Sequence, residues 1–147
     1  MADKAEKIRV KTMCLITDGQ RVLVGKGRDS VKNENFYRVL GGSLRFNETV
    51  KDGIMREIKE ELGCGVENLE LVDVIENLFT YEGEEGHEIV FLFKGTLSDP
   101  KLYKKDIVHI IEDGYEFDAE WIPNEYVINK KIRLYPEYEY SKILARR

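Results

Sequence analysis

The stretch Gly42-Ser-Leu-Arg-Phe-Asn-Glu-Thr-Val-Lys-Asp-Gly-Ile-Met-Arg-Glu-Ile-Lys-Glu-Glu-Leu-Gly-Cys64 decides the architecture of this chain. Within it, Thr49 is followed three residues later by Asp52, which is a helix N-cap signature of the Ser/Thr-x-x-acid kind. Gly63 stands where a helix C-cap is expected, because glycine adopts the left-handed conformation without steric cost. The sequence therefore predicts a helix over residues 49–62, with a loop at each end.

The predicted helix has an apolar face and an acidic face. At 3.6 residues per turn, residues three or four positions apart lie side by side. The apolar face is expected to pack on a sheet and comprises Met55, Ile58 and Leu62. The acidic face comprises Glu57, Glu60 and Glu61. Gly53 lies one turn earlier on the acidic side, where the missing side chain leaves room for a ligand.

The acidic face has two interpretations. One is an ordinary solvated helix surface. Like charges at these spacings destabilise a helix by about 0.2–0.5 kcal/mol per pair, and carboxylates near a helix C-terminus oppose the macrodipole. Ion pairs of Arg56 with Asp52 and Glu60 would offset part of that cost, so the energetics alone do not decide. The other interpretation is a metal site, because converging hard oxygen ligands suit Mg²⁺ or Mn²⁺.

Length, composition and charge restrict the class of function. The chain has 147 residues, 42% hydrophobic and 35% charged, which is typical of one globular domain over residues 1–147. The net charge of −5 argues against a nucleic-acid duplex as partner. Cys14 and Cys64 fit no metal-binding spacing and are expected to be reduced thiols. We see no N-terminal apolar run and no stretch of membrane-spanning length, so we expect no membrane partner and a cytoplasmic location.

The rest of the sequence predicts an α+β fold, with a mixed sheet and few helices. Runs of β-branched and apolar residues alternate with turn residues. The predicted strands are residues 8–16, 21–28, 36–40, 69–81, 87–97, 107–111 and 117–122. The near-continuous apolar run in 87–97 predicts burial on both faces of that strand. We also predict a loop over 29–35, a turn over 82–86, and a short C-terminal helix over 137–145.

The central stretch follows the pattern Gly-x5-Glu-x7-Arg-Glu-Ile-x-Glu-Glu-x-Gly-Cys, from Gly42 to Cys64. This pattern resembles the Nudix box, the signature of the Nudix (MutT-like) hydrolases. Only its last position departs from the family, which has a bulky aliphatic residue where this chain has the smaller, apolar Cys64. The strand before the box, the apolar strand after it and the late Trp121 also fall where the family's sheet places them.

The resemblance implies a Nudix α/β/α sandwich, with the box packed as loop–helix–loop on a mixed sheet. It also implies Mg²⁺-dependent hydrolysis of a phosphoanhydride in a nucleoside diphosphate linked to a second group, with Mn²⁺ as the alternative metal. In the implied site, Glu60 and Glu61 are metal ligands. Glu57 is a ligand or the base that activates water, and Arg56 orients it through a bidentate pair.

Further ligands are implied on either side of the helix. The main-chain carbonyl of Gly41 or Gly42 is expected to bind the metal, since only glycine lets the main chain approach so closely. Glu48 is expected to fix the loop through an ion pair with an arginine. Some relatives use one more carboxylate ahead of the late tryptophan, and here Glu116 is the first candidate and Glu112 the second. An exposed turn residue is the alternative for both.

Substrate-binding residues are expected outside the box. Arg28, Arg38 and Arg45 are candidates for binding phosphate, with solvation at the surface as the alternative for each. Phe79 and Tyr81 are candidates for stacking on a base, with core packing as the favoured alternative for Phe79.

The substrate class follows from weaker signals. The family's ADP-ribose group carries a proline past the box where this chain has Phe79-Thr80-Tyr81, and a tyrosine there resembles the dinucleoside-polyphosphate group. A nucleoside triphosphate or dinucleoside polyphosphate is therefore favoured over ADP-ribose. The alternative function is a Nudix-fold sensor that binds a nucleotide without cleaving it. Such modules usually lose box glutamates, and none is lost here. Since many relatives are dimers, a homodimer is also among the expectations.

Overall fold

The computed structural model describes residues 6–144. The strands are β1 (Ile8–Thr17), β2 (Arg21–Asp29), β3 (Glu34–Ser43), β4 (Val66–Tyr81), β5 (Glu84–Leu97), β6 (Ile107–Glu112), β7 (Tyr115–Pro123) and β8 (Leu134–Tyr135). The helices are α1 (Val50–Leu62), α2 (Asn124–Ile128) and two 3₁₀ helices, Pro100–Lys104 and Tyr140–Lys142. In this part of the chain, no helix combines the length and the apolar character needed to cross a membrane.

All the strands belong to one sheet of mixed direction. Its order is β4–β5–β1–β3–β2–β7–β6, and β8 pairs with β3. The β1–β5 and β3–β8 pairs are parallel, whereas β1–β3, β2–β3 and β2–β7 are antiparallel. The β1–β3 register sets Lys11 opposite Ser43 and Thr12 opposite Gly42. Strand β1 therefore runs directly beside the start of the central stretch. Because the sheet contains both parallel and antiparallel pairs, the predicted mixed sheet is confirmed.

Helical layers cover both faces of the sheet. On the α1 side, the buried core includes Cys14, Ile16, Leu40, Ile54, Ile58, Phe93 and Trp121. On the opposite side, where α2 and the last 3₁₀ helix lie, it includes Met13, Leu15, Val39, Val90, Leu92, Val127, Ile128 and Tyr140. Consecutive residues of a strand point to opposite faces, so the central strands supply both clusters. The predicted α/β/α sandwich of an α+β protein is confirmed.

Strand β5 shows why its sequence is almost continuously apolar. Val90 and Leu92 are buried in the cluster opposite α1, whereas Phe93 and Leu97 are buried on the α1 side. The predicted burial on both faces is confirmed for this half of the strand. The other half, towards Glu84, is half-buried or exposed because there it forms the end of the β4–β5 hairpin.

Helix α1 has the caps that the sequence predicts. The Thr49 hydroxyl accepts a hydrogen bond from the Asp52 main-chain N–H at 3.1 Å. Gly63 has a φ of 74°, and its N–H donates to the Lys59 carbonyl. Both contacts satisfy main-chain groups that have no partner within the helix. The helix therefore begins and ends where local sequence signals place it.

The apolar face of α1 differs from the prediction. Ile54 and Ile58 have no exposed surface, whereas Met55 is 44% exposed, and Leu62 packs only partly against the core. Two adjacent residues, Ile54 and Met55, both offer an apolar side chain one turn before Ile58. The choice of Ile54 turns the helix so that Glu57 and Glu61 also face inward, which the predicted face did not anticipate.

Three other boundaries are corrected by the structure. The loop predicted over 29–35 is shorter, because β2 continues to Asp29, which pairs with Glu34 at the start of β3. The turn predicted over 82–86 is also shorter, because β4 ends at Tyr81 and β5 begins at Glu84. Instead of the helix predicted over 137–145, the chain forms the 3₁₀ helix Tyr140–Lys142, and residue 145 lies outside the described residues. Tyr140 is buried there, and its hydroxyl donates to the Pro136 carbonyl at 2.6 Å.

Replacing Ile58 with alanine should lower the free energy of unfolding by about 2–5 kcal/mol, because it opens a cavity beneath α1. Met55→Ala is the matched control on the same helix. The Met55 side chain is 44% exposed, so this substitution should lower the free energy of unfolding by no more than about 1 kcal/mol. Urea unfolding followed by circular dichroism measures both, and equal losses would contradict the observed orientation of α1.

Candidate metal and nucleotide site

The central stretch leaves β3, turns through a short loop and continues as α1. Gly42, near the end of β3, lies in close contact with the carboxylate of Glu57 on α1. A β-carbon at Gly42 would overlap the Oε1 atom of Glu57. Only glycine therefore allows this carboxylate to lie directly against the main chain of β3.

Arg56 binds the acidic residues around it. Its Nε and Nη2 atoms donate to the two Glu48 carboxylate oxygens at 2.7 and 3.0 Å, a bidentate pair. Its Nη1 atom donates to Glu57 Oε2 at 2.7 Å and to Glu60 Oε1 at 3.2 Å. Nη2 also donates to the Ser43 carbonyl at 3.1 Å. One guanidinium therefore joins the loop, the helix and the end of β3.

The ion pair changes the acidity of Glu48. The hydrogen bonds from Arg56, with a further one from the Arg45 main-chain N–H, lower the pKa of Glu48 to about 2. The same pair raises the pKa of Arg56 above its usual value. Glu48 thus remains ionised and holds the loop against the helix.

Three carboxylates meet next to Arg56. One oxygen from each of Glu57, Glu60 and Glu112 lies within 4.8 Å of the others. Glu57 is buried, Glu112 is half-buried and Glu60 is exposed, so the cluster opens to solvent on one side. Carboxylates this close repel one another, and hard oxygen ligands in this number suit a divalent cation that completes its coordination with water and phosphate.

Glu61 lies beneath this cluster without a partner. It is 7% exposed, and neither carboxyl oxygen has a hydrogen-bond partner among residues 6–144. Burial, with the negative charges of Glu112 and Glu57 nearby, raises the pKa of Glu61 to about 9, while the Arg38 charge opposes the shift. A buried carboxyl group without a partner is costly. A cation bound beside it would supply the missing interaction, so these residues fit a divalent metal.

The two candidates for the carboxylate outside the box lie in different surroundings. Glu112 lies in the cluster, whereas Glu116 accepts a hydrogen bond from His109 Nε2 at 3.3 Å and is exposed. The cause is strand alternation. Glu112 lies on the same face of β6 as the buried Ile110, which packs on the α1 side. In the β6–β7 register Glu116 is opposite Ile111, whose side chain is exposed on the other face.

A pocket of about 330 Å³ opens above the carboxylates, and its basic lining residues are Lys11, Arg38, Arg45 and Arg56. The Lys11 ammonium donates to Ser43 Oγ at 3.0 Å and lies 3.9 Å from Glu88. Arg45 is largely exposed and lies 3.4 Å from Glu60. Gly42 and the three clustered glutamates line the same pocket. It therefore combines an acidic floor with a basic rim.

Three predicted substrate residues lie outside this lining. Arg28 donates to Asn33 and to Asn35 Oδ1, in the β2–β3 turn. Tyr81 donates to the Arg28 carbonyl at 3.3 Å. The Phe79 ring lies over Gly86, beside a separate cavity of about 470 Å³ near the end of the β4–β5 hairpin. The structure thus brings Arg38 and Arg45 to the carboxylates but leaves Arg28, Phe79 and Tyr81 at the hairpin ends.

Two charged residues that line the pocket are missing from the predicted set. Lys11 is placed by the β1–β3 register, which pairs it with Ser43. Asp113 follows Glu112 in the turn between β6 and β7. No local signal distinguishes Lys11 from the other lysines of the chain, because its position depends on a pairing between strands far apart in sequence.

A mixed sheet lies between helical layers, and the loop–helix–loop on one of its faces carries Glu57 and Glu60, two of the three clustered carboxylates. The sequence profile of the NUDIX domain matches residues 7–141. The chain therefore belongs to the Nudix family.

Individual relatives agree with this assignment. The chain is 33% identical over 107 residues to the oxidized purine nucleoside triphosphate hydrolase of Mus musculus, across 69% of this chain and 56% of that protein. Just over half of that curated relative's length is thus matched. A MutT protein from Bacillus halodurans superposes with a TM-score of 0.61 at 20% identity, over 88% of this chain and 76% of that one. A MutT NUDIX hydrolase from Burkholderia pseudomallei gives 0.53 at 23%, over 79% and 83%. These two structures share the fold.

The Glu48–Arg56 pair should make stability depend on pH in a specific way. The pKa of Glu48 in the folded protein, about 2, lies below its ordinary value of 4.5. Its contribution is therefore fully present above about pH 4.5 and is lost as the pH falls towards 2. Glu48→Gln should be less stable than the parent at pH 7, and the difference should shrink from pH 4.5 downward. Urea unfolding at pH 7, 4.5 and 3 measures this, and a difference independent of pH would contradict it.

Proposed function

We propose that this protein is a Mg²⁺-dependent hydrolase that cleaves a phosphoanhydride bond in a nucleoside diphosphate linked to another group. The observation that carries the proposal is the convergence of Glu57, Glu60 and Glu112 beside the buried, unpartnered Glu61. A solvated acidic surface does not account for a buried carboxyl group without a partner, whereas a bound cation would supply that partner.

The residues that would hold the metal are Glu57, Glu60, Glu61 and Glu112, with the main-chain carbonyl of Gly42 as a further candidate. All of these groups would bind the metal through oxygen atoms, the ligands that Mg²⁺ prefers, and Mn²⁺ binds the same kind of ligands. When bound, such an ion neutralises charge on the phosphates and lowers the pKa of a coordinated water. The close contact of Gly42 with Glu57 supports this set, because it places the Glu57 carboxylate against the main chain of Gly42.

Glu57 is proposed to activate the attacking water, and Arg56 is proposed to orient Glu57. Arg56 holds Glu57 Oε2 at 2.7 Å, which leaves Oε1, on the Gly42 side, for a ligand or a water. A carboxylate fixed in this way can accept a proton from water in a defined direction. Arg56 is itself fixed by Glu48, so the orientation of Glu57 depends on the whole network.

The basic rim is proposed to bind the phosphates of the substrate. Lys11, Arg38 and Arg45 line the pocket beside the carboxylates, and its volume of about 330 Å³ lies in the range of small-molecule sites. A nucleoside triphosphate or a dinucleoside polyphosphate is favoured over ADP-ribose. The name of the mouse relative, a nucleoside triphosphate hydrolase, supports the first of these.

A substrate panel tests the reaction. With Mg²⁺, purified protein should release phosphate or pyrophosphate from a nucleoside triphosphate or an oxidised purine nucleotide, or should split a dinucleoside polyphosphate into two nucleotides. ADP-ribose and ADP-sugars should be poorer substrates. EDTA should abolish turnover, and added Mg²⁺ or Mn²⁺ should restore it. Tight nucleotide binding without cleavage of any member would instead establish the sensor function.

A pair of matched variants tests the metal site. Glu112→Gln should lower kcat/KM by at least about 10-fold and raise the Mg²⁺ concentration needed for half-maximal rate, because a ligand is lost. Glu116→Gln is the control, since it makes the same change four residues away on the exposed face. It should leave both values within about 2-fold, as expected of an exposed surface position. The reverse pattern would show that Glu116, not Glu112, completes the site.

A further inference from the structure

Arg38 differs from the other cations that line the metal-side pocket. Lys11, Arg45 and Arg56 each have a carboxylate within 4.0 Å. Arg38 has none among the residues that the structure describes, although it lines the same pocket as Glu57 and Glu112. Its N–H donors are therefore not used by an ion pair. A half-buried guanidinium in this state is poised to bind an anionic group from outside the chain.

An aromatic ring supports this guanidinium from one side. The Cζ atom of Arg38 lies 4.8 Å from the centroid of the Phe117 ring. In this cation–π contact the Phe117 ring attracts the positive charge of Arg38, and the N–H donors of Arg38 take no part in the contact. Arg38 is thus held in position while its donors remain available, which an ion pair could not achieve.

Gly25 makes the contact between Arg38 and Phe117 sterically feasible. Arg38 is on β3 and Phe117 on β7, and β2 lies between these strands. Neighbouring strands are about 4.8 Å apart, so the ring must cross β2 to reach Arg38. It crosses at Gly25, which is opposite both Arg38 and Ala119. A β-carbon there would lie 2.9 Å from Phe117 Cε2 and 3.5 Å from Leu40 Cδ2, so any side chain would lift the ring.

We propose that Gly25, Phe117 and Arg38 form a three-layer stack that presents Arg38 as a phosphate-binding arm for the nucleotide. The main chain at Gly25 is the floor, the Phe117 ring is the middle layer, and the guanidinium is the outer layer with its edge directed to phosphate oxygens. Phe117 is a positioning residue that acts through Arg38. The inference rests on the proposed function for the identity of the ligand, since the phosphates of that substrate occupy the same pocket.

The planar shape of the guanidinium matters for this arm. Arginine can lie flat on a ring and still offer two parallel donors from its edge, whereas lysine is a compact point charge with no plane to stack. Arg38→Lys should therefore behave like a loss of the arm even though the charge is kept. That outcome separates a geometric role from a general electrostatic effect on Glu61, which Arg38 also influences.

A double-mutant cycle tests the stack with the nucleotide that the substrate panel identifies. Arg38→Met should raise KM about 10-fold. Phe117→Leu should raise KM about 3-fold and leave kcat and the half-saturating Mg²⁺ concentration nearly unchanged, because it keeps the Arg38 charge that acts on Glu61. Phe117→Tyr, which keeps the aromatic face, should restore the parental KM. In the Arg38→Met background, Phe117→Leu should have no further effect. Multiplying effects would show that Phe117 does not act through Arg38 and would overturn the proposal.

A binding measurement without metal distinguishes the arm from the reaction. Calorimetric titration of the parent and Arg38→Met proteins in EDTA would use two probes, ADP and inorganic tripolyphosphate. Both probes should bind about 10-fold more weakly to the variant. If only ADP binding weakens, Arg38 contacts the base and the phosphate arm is wrong. If the parent cleaves no nucleotide but both probes show the loss, the proposed reaction fails and the arm stands.

Discussion

The bidentate pair between Arg56 and Glu48 is the interaction on which the site depends. Several carboxylates within a few ångströms of one another would separate in the absence of a compensating charge, since two unit charges 4 Å apart repel by about 4 kcal/mol at an effective dielectric constant of 20. Arg56 reduces that repulsion because it bonds to Glu57 and Glu60 with the same guanidinium that Glu48 holds in place. The acidic face of α1 is therefore ordered by the chain itself.

The sheet supplies one carboxylate of the proposed metal site that helix α1 does not carry. Helix α1 directs Glu57, Glu60 and Glu61 to one region, but the fourth carboxylate comes from Glu112 at the end of β6. Its position depends on the β6–β7 register and on the packing of Ile110 beneath α1. The proposed metal site therefore joins two elements that are distant in sequence, and it requires the folded sheet to be complete.

The distribution of charge reconciles an acidic protein with the anionic substrate that we propose. The net charge of −5 disfavours long-range attraction of a polyphosphate. Within the pocket, however, Lys11, Arg38 and Arg45 surround the carboxylates, and a bound divalent ion would invert the sign at the centre. The cations differ in how they are held: Lys11 and Arg45 lie near carboxylates, whereas Arg38 rests on an aromatic ring. Local arrangement rather than net charge therefore governs what the pocket can bind.

The sequence by itself determined the features that depend on near neighbours along the chain. The N-cap at Thr49 and the C-cap at Gly63 involve contacts within four residues, and the spacing of the glutamates on one helix follows from 3.6 residues per turn. The family, the sheet class and the burial of β5 follow from patterns of the same local kind. These signals are reliable because the interacting groups are only a few residues apart.

Only the tertiary structure decided which residues meet across the sheet. Ile54 and Met55 are adjacent and both apolar, so packing alone selected which of them faces the core. Glu112 and Glu116 are four residues apart and chemically identical, and strand alternation with hairpin register separated them. The contact of Phe117 with Arg38 across Gly25 also depends on the order of three strands. Register and strand order arise from long-range packing, for which a single sequence carries no local signal.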